Sequence, residues 1–83
     1  SMYPNPNNGD QLYFNLTSVE QDVRIVSVDL YDLTGKRVGS QTLPVIDGFV
    51  RSTLDLSELN SGMYMVNVSA GDKKFTERLV IQK

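Results

Sequence analysis

The 83-residue sequence contains no cysteine, histidine or tryptophan, and each absence narrows the range of functions. Without cysteine the chain has no disulfide, no thiol nucleophile and no thiolate ligand for zinc. Without histidine it also lacks the commonest general base and metal ligand. No apolar run approaches the roughly 18 residues of a membrane-spanning helix. We therefore expect no cofactor, no membrane span and no common enzyme mechanism.

Neither sign of charge dominates the sequence. Eight Lys and Arg residues stand against ten Asp and Glu, and the net charge is −2. The signs are interspersed, so the chain lacks the basic face that nucleic-acid binding requires. The length allows one domain. We expect that domain to span residues 3–83, because Ser1 and Met2 resemble a remnant of a cloning vector.

What the sequence does contain is a regular alternation of apolar and polar residues between turn signals. Gly, Pro, Asn and Asp recur about every ten residues, and the segments between them are rich in β-branched and aromatic residues. This pattern predicts an all-β sandwich of six or seven strands. The predicted strands are Gln11–Thr17, Val23–Tyr31, Lys36–Leu43, Phe49–Leu56, Met63–Ser69 and Lys73–Gln82.

Three segments depart from simple alternation. Residues Tyr3–Gly9 contain two prolines that lack ladder donors, so we expect an extended arm that ends in a turn. Val23 and Ile25 have the opposite parity to Val26, which indicates either a bulge near Ile25 or a strand start that is covered on both faces. Residues Ser57–Gly62 predict one helical turn with Ser57 as its N-cap and Leu59 packed on the end of the sandwich.

No arrangement of residues indicates catalysis or metal binding. Ser57 with Glu58 lacks a base, and the turn acids do not have the spacing of a calcium loop. Tyr31 and Tyr64 are expected to pack in the core, each with its own buried hydroxyl in a hydrogen bond. Tyr3, Tyr13 and Phe49 are open to two interpretations, because an exposed aromatic row binds sugars in many sandwich modules but aromatics are also ordinary strand residues.

Four segments in a fixed order resemble the C-terminal sorting domain of cargo proteins of the type IX secretion system. The segments are Tyr3–Pro6, Leu30–Lys36, Leu54–Tyr64 and Lys73–Lys83, and together they cover nearly the whole chain. The resemblance implies an immunoglobulin-like antiparallel β-sandwich of about seven strands. It also implies a non-catalytic secretion signal at the C-terminus of an attached cargo protein.

The resemblance further implies partners and a route. The cargo would pass through the periplasm and be recognised by the outer-membrane translocon. A sortase-like peptidase would then remove the domain as the cargo is attached to the cell surface. The residues that match the family's motifs, and that we expect to be recognised, are Pro4, Asn5, Pro6, Leu56, Leu59, Gly62, Tyr64, Lys73, Arg78, Leu79, Val80, Ile81 and Lys83.

Two small departures accompany the resemblance. Arg78 stands where lysine is usual and keeps the charge, and Met63 replaces a common Val or Ile. The final strand offers an edge or a tail to a receptor by strand addition, so deletion of Leu79–Lys83 is expected to abolish export. Such an edge also offers a surface for an edge-to-edge dimer, through Lys73–Gln82 or the arm Tyr3–Gly9. The alternative function is an immunoglobulin-like or fibronectin-III-like module for carbohydrate binding or adhesion.

Overall fold

The computed structural model describes residues 1–83 and consists of seven strands joined by turns and loops. It contains no helix that is long and apolar enough to cross a membrane. Six of the seven strands follow the alternation in the sequence to within two residues, and the first strand, Met2–Tyr3, was not predicted. The strands are β1 Met2–Tyr3, β2 Gln11–Leu16, β3 Ile25–Tyr31, β4 Arg37–Pro44, β5 Val50–Asp55, β6 Gly62–Ala70 and β7 Lys73–Ile81.

The strands form two antiparallel sheets that pack face to face. One sheet has the order β1-β2-β5 and the other β4-β3-β6-β7. In an immunoglobulin constant domain the fourth strand joins the first sheet, whereas here β4 pairs with β3. The predicted all-β sandwich of about seven strands is confirmed, and β7 is an edge strand of the larger sheet.

Alternate residues of both sheets point between them and form one apolar core. In β2, for example, Leu12 and Phe14 are buried while Gln11 and Tyr13 are exposed, as a period of two requires. Burial of such side chains is the main stabilising term of a domain this small. The core consists of Leu12, Phe14, Val26, Val28, Leu30, Leu43, Val50, Leu54, Leu56, Tyr64, Val66, Val68, Ala70, Leu79 and Ile81.

Tyr64 fixes the corner between β5 and β6. Its ring is 7% exposed, and its hydroxyl donates a hydrogen bond to the carbonyl oxygen of Asn60 at 2.7 Å. A tyrosine that bonds to backbone a few residues upstream, near the start of the sixth strand, is the tyrosine corner of immunoglobulin-type sandwiches. The prediction of a buried, bonded tyrosine is confirmed for Tyr64, but Tyr31 is only partly buried at the end of β3 and is not part of the core.

The irregularity predicted near Ile25 lies elsewhere. Ile25 and Val26 pair regularly with Pro44 and Leu43, and the register shifts instead between Leu30 and Tyr31. Ile25 is 59% exposed, so the start of β3 is not covered on both faces either. Both interpretations were wrong because β3 begins at Ile25 itself, and Val23 belongs to a turn in which its N–H donates to the Glu20 carbonyl.

The segment after β5 is a turn and not a helical turn capped by Ser57. The Leu59 N–H donates to the Leu56 carbonyl at 3.0 Å, and no further helical bond follows. The Ser57 N–H donates to Asp55 Oδ1 at 2.9 Å, so Asp55 supplies the side-chain acceptor. The expected packing of Leu59 against the core is confirmed.

Candidate functional site

The proline-containing arm lies along the free edge of β7. The Asn5 side-chain amide donates to the Arg78 carbonyl at 2.7 Å, and its Oδ1 accepts from the Val80 N–H at 3.1 Å. The Asn7 N–H then donates to the Val80 carbonyl, and the Gln82 N–H donates to the Asn7 carbonyl, both at 2.7 Å. The arm therefore pairs in parallel with the last residues of β7.

Two asparagines make this pairing because the two prolines cannot. Proline has no N–H, so neither Pro4 nor Pro6 can donate a bond to an adjacent strand. Both prolines follow cis peptide bonds, and both are exposed on the outside of the arm. The Asn5 side chain thus takes the place of a backbone N–H and C=O pair, and it leaves the proline rings facing solvent.

Asn7 is the only buried polar residue of the domain, with 1% of its surface exposed. Its Nδ2 donates to the carbonyls of Pro4 at 3.2 Å and Gln11 at 2.9 Å. Its Oδ1 accepts from the N–H groups of Gly9 at 2.8 Å and Asp10 at 3.2 Å. A buried amide needs partners of this kind, since leaving it unpaired is costly. Asn7 therefore fixes the path of the chain from the arm into β2.

The last residue packs against both the arm and the turn after β5. The Lys83 N–H donates to Ser61 Oγ, and its Nζ donates to the Ser57 carbonyl, both at 3.0 Å. Between these bonds the lysine stem crosses Gly9, where a Cβ would lie 2.4 Å from Lys83 Cε. Gly9 also has φ +83°, a conformation that glycine adopts without a steric penalty.

These contacts bring three separate stretches of sequence to one end of the sandwich. The Leu56 N–H donates to the Asp10 carbonyl at 2.8 Å, which joins the turn after β5 to the segment that follows the arm. We call the combined surface of Pro4–Gly9, Leu56–Tyr64 and Arg78–Lys83 the motif end. It contains all but one of the residues that the sequence identified as candidates for recognition.

The exception is Lys73, which lies at the opposite end of β7. Its Nζ is 3.2 Å from Glu20 Oε1, and both side chains are more than half exposed. Such a surface ion pair contributes little to stability. The structure therefore does not place Lys73 with the other candidate residues.

The candidates at the motif end divide into buried and exposed residues. Leu56, Tyr64, Leu79 and Ile81 are part of the core, and Leu59 is partly buried against it. In contrast, the arm prolines, Asn5, Gly62, Arg78 and Lys83 are exposed, and Val80 is half-buried. The first group holds the shape of the motif end, whereas the second group is accessible to a partner.

Sequence reasoning missed the role of Asn7. The local signal was present, because an asparagine that precedes Asn-Gly commonly accepts bonds from backbone N–H groups two and three residues later. Its position between the arm and the tail was not foreseeable, since the bonds to Val80 and Gln82 join distant parts of the chain.

Two turn aspartates have lowered pKa values, and both bond to their own turns. At the end of β5, beside the motif end, the pKa of Asp55 is lowered mainly by the Ser57 N–H and also by the Ser57 hydroxyl. In the β3–β4 turn, the pKa of Asp32 is lowered first by the Thr34 hydroxyl and then by the N–H groups of Lys36 and Thr34. Hydrogen bonds to a carboxylate favour its charged form.

The exposed aromatics do not form one continuous row. Tyr3 and Tyr13 are cross-strand partners whose ring centroids lie 5.4 Å apart in a stacked arrangement. Phe49 instead lies under the guanidinium of Arg51, at 5.7 Å from the ring centroid. No group of three or more acidic side chains is placed to hold a metal ion.

Comparison with known families gives one match that covers nearly the whole chain. The model of the family described as "Secretion system C-terminal sorting domain" matches residues 1–82. No curated protein matches the chain. The matched range includes all three stretches of the motif end up to Gln82. Nothing in these comparisons supports the alternative of a carbohydrate-binding or adhesion module.

Proposed function

Because the chain belongs to the family of secretion system C-terminal sorting domains, we propose that its motif end is the surface that the secretion machinery recognises. A domain of this family is a C-terminal signal of type IX secretion, and it directs an attached cargo protein across the outer membrane. The observation that carries the proposal is the convergence of the arm, the turn after β5 and the tail at one end of the sandwich.

The exposed residues of the motif end are the proposed contacts. Pro4, Pro6 and Lys83 offer two rigid rings and a positive charge on one surface, and the exposed Asn5 and Gly62 lie on the same surface. The buried residues Leu56, Leu59, Tyr64, Leu79 and Ile81 act through the fold, and Arg78 and Val80 act through the backbone groups that hold the arm. The outer-membrane translocon of the type IX system is the proposed partner.

The cargo is proposed to join the domain away from this surface. The amino group of Ser1 donates to the Asn15 carbonyl at 2.7 Å, near the end of β2 that is remote from the tail. A cargo attached there leaves the motif end free. We infer that a sortase-like peptidase cleaves in the linker that precedes the domain, and that the domain spans residues 3–83. The backbone of Ser1 and Met2 extends the pairing of β1 with β2.

The role as proposed needs no catalysis by the domain itself. Recognition requires a folded surface with defined hydrogen-bonding groups and charge. The proposed route passes from the periplasm through the outer membrane to the cell surface.

Export of a reporter tests the proposal. A periplasm-targeted fluorescent protein is fused upstream of Tyr3 and expressed in a host with an intact type IX system and in a matched strain that lacks the translocon. We expect the reporter on the cell surface or in the medium only in the intact host. Retention of the folded fusion in the periplasm of both strains would contradict the proposal.

Point variants test the motif end more sharply than a truncation. Deletion of Leu79–Lys83 removes two core residues, so loss of export would not distinguish recognition from unfolding. Lys83→Ala removes an exposed side chain from the motif end, and Lys36→Ala removes an exposed lysine from the β3–β4 turn. We expect Lys83→Ala to reduce export and Lys36→Ala to leave it unchanged, with both variants folded by circular dichroism. Equal export of the two would assign recognition to another surface.

A further inference from the structure

The arm covers only part of the edge of β7. Backbone groups of a strand point alternately to its two neighbours. Because the N–H and C=O of Val80 both bond to the arm, the same groups of Thr76 and Lys74 point away from β6, as does the N–H of Arg78. These five groups have no neighbouring strand, so Lys74–Arg78 is an open edge.

The side chains on the outer face of this open edge are cationic. Lys74 and Arg78 are exposed, lie on either side of Thr76, and form no ion pair. Their neighbours across β6 are Ser69 and Met65, which carry no charge. The nearest acids in sequence are Asp72, in the turn, and Glu77, which has the opposite parity. The outer face therefore presents two unpaired positive charges with a threonine between them.

The inner side of the open edge borders an apolar cleft between the two sheets. The cleft has a volume of about 280 Å³ and is lined mainly by Met2, Phe14, Leu16, Val68 and Phe75. Ser1, Thr76 and Glu77 also line it. Phe75 is 49% exposed although it shares its face with the buried Leu79. A side chain that enters between the sheets at this point would cover Phe75.

Self-pairing of two open edges is disfavoured by charge. In an antiparallel dimer that pairs the whole edge, the two Thr76 residues lie opposite each other. Lys74 of each chain then lies opposite Arg78 of the other chain. Like charges directly opposite each other destabilise a strand pair. An exposed lysine on an edge strand is a common means of preventing such association.

We propose that Lys74–Arg78 binds an extended segment of a partner protein by strand addition, and that this segment alternates acidic residues with apolar ones. Residues opposite Lys74 and Arg78 project to the outer face, where carboxylates pair with both cations. The residues opposite Phe75 and Glu77 project inward, where an apolar side chain meets Phe75 and the cleft. This binding site is separate from the motif end, and its role in secretion rests on the proposed sorting function.

Peptide binding to the 83-residue chain tests this directly. The probe is a short, blocked peptide in which glutamate alternates with valine, and the control peptide has lysine in place of glutamate. We expect the glutamate peptide to shift the NMR signals of the Lys74, Thr76 and Arg78 amides and to bind at least about tenfold more tightly than the lysine peptide. This preference should weaken as salt is added.

Matched variants locate the site. Thr76→Pro removes an N–H that points to the open edge, and proline is tolerated at such a position of an edge strand. The Val45 N–H bonds to the Arg24 carbonyl, so by alternation the Thr42 N–H points away from β3, at the other edge of the same sheet. We expect Thr76→Pro to abolish binding and Thr42→Pro to leave it unchanged. The exposed double variant Lys74→Glu/Arg78→Glu should reverse the preference and favour the lysine peptide.

Each contrary result has a clear meaning. Equal binding of both peptides, shifts confined to β4, or dimerisation of the unchanged chain through β7 would overturn the inference. Since the assay needs no secretion machinery, its failure leaves the export test of the motif end untouched. Conversely, the domain could bind the peptide and yet export no reporter. That result would support strand addition and contradict the proposed sorting function.

Discussion

The two halves of β7 have the same backbone conformation but opposite surroundings. In Arg78–Ile81, Leu79 and Ile81 are at most 1% exposed, and the arm bonds to the strand's outer edge. In Lys73–Glu77 every residue is exposed and the outer edge has no partner. In the folded domain, one half of β7 is therefore packed and paired, and the other half has exposed side chains and an unpaired outer edge. Under the two proposals above, the covered half keeps the shape of the motif end and the open half binds a partner segment.

The largest expected difference between the two halves is in the stability lost when Leu79 or Phe75, two apolar residues on the same face of β7, is replaced by alanine. Leu79→Ala leaves a cavity in the core, which typically costs about 2 to 5 kcal/mol. Phe75→Ala removes a half-exposed ring beside the cleft and should cost no more than about 1 kcal/mol. Thermal unfolding followed by circular dichroism measures both changes. Similar losses of stability in the two variants would mean that both halves of β7 contribute equally to the core.

Substitution of Asn7 should lower the free energy of unfolding much more than substitution of the neighbouring Asn8. Asn7→Ala removes the partners of two N–H groups and two carbonyls, so we expect a loss of about 2 kcal/mol or more in the free energy of unfolding. Asn8→Ala removes one exposed bond to Asp10 and should cost under about 1 kcal/mol. Urea unfolding gives both values.

Amide exchange gives an independent check on the same pair of variants. The Gln82 N–H bonds to the Asn7 carbonyl, so its exchange should accelerate in Asn7→Ala. The Thr76 N–H has no partner in either variant and serves as the internal reference. An Asn7→Ala protein with unchanged Gln82 exchange would show that the arm is held by other contacts.

A double-mutant cycle isolates the contact between the arm and the tail. Gly9 and Gly35 have nearly equal angles, φ +83° and +86°, but only Gly9 has a neighbour, the Lys83 stem. Alanine at either position should cost about 1 kcal/mol through backbone strain. Gly9→Ala should cost a further 0.5 kcal/mol or so, because it displaces the lysine and its bond to Ser57.

The extra cost should disappear when the lysine is already absent. In the background Lys83→Ala, we expect Gly9→Ala and Gly35→Ala to have equal effects on urea unfolding, within the accuracy of the method. If Gly9→Ala remained the more costly variant, the glycine would be required by something other than the tail.

The sequence located β2 to β7, because a period of two and turn residues are local signals, but it did not indicate β1. The arrangement of the motif end depends on bonds between residues far apart, such as Asn5 and Arg78, which are 73 residues apart in sequence. Local patterns carry no information about such a pairing. The exposure of Phe75 shows the same limit, since Phe75 shares its face of β7 with the buried Leu79 and Ile81 and is nevertheless 49% exposed.

Acid should loosen the motif end through Asp55, and this is the smallest effect expected. The pKa of Asp55 is lowered in the folded state, so its contribution to stability is present above the ordinary pKa of an aspartate, near pH 4, and is lost as the pH falls through the lowered value. Asp32 follows the same rule in the β3–β4 turn. We expect Asp55→Asn and Asp32→Asn each to flatten the fall in unfolding free energy below about pH 4.

Only one of the two variants should affect the tail. Asp55 orders the turn whose Ser57 carbonyl and Ser61 hydroxyl bond to Lys83, whereas Asp32 has no contact with that turn. At neutral pH, amide exchange of Lys83 should therefore be faster in Asp55→Asn than in Asp32→Asn. If both variants left the exchange of Lys83 unchanged, the turn would hold the tail without help from the Asp55 charge, and the covered half of β7 would owe its order to the arm and the core alone.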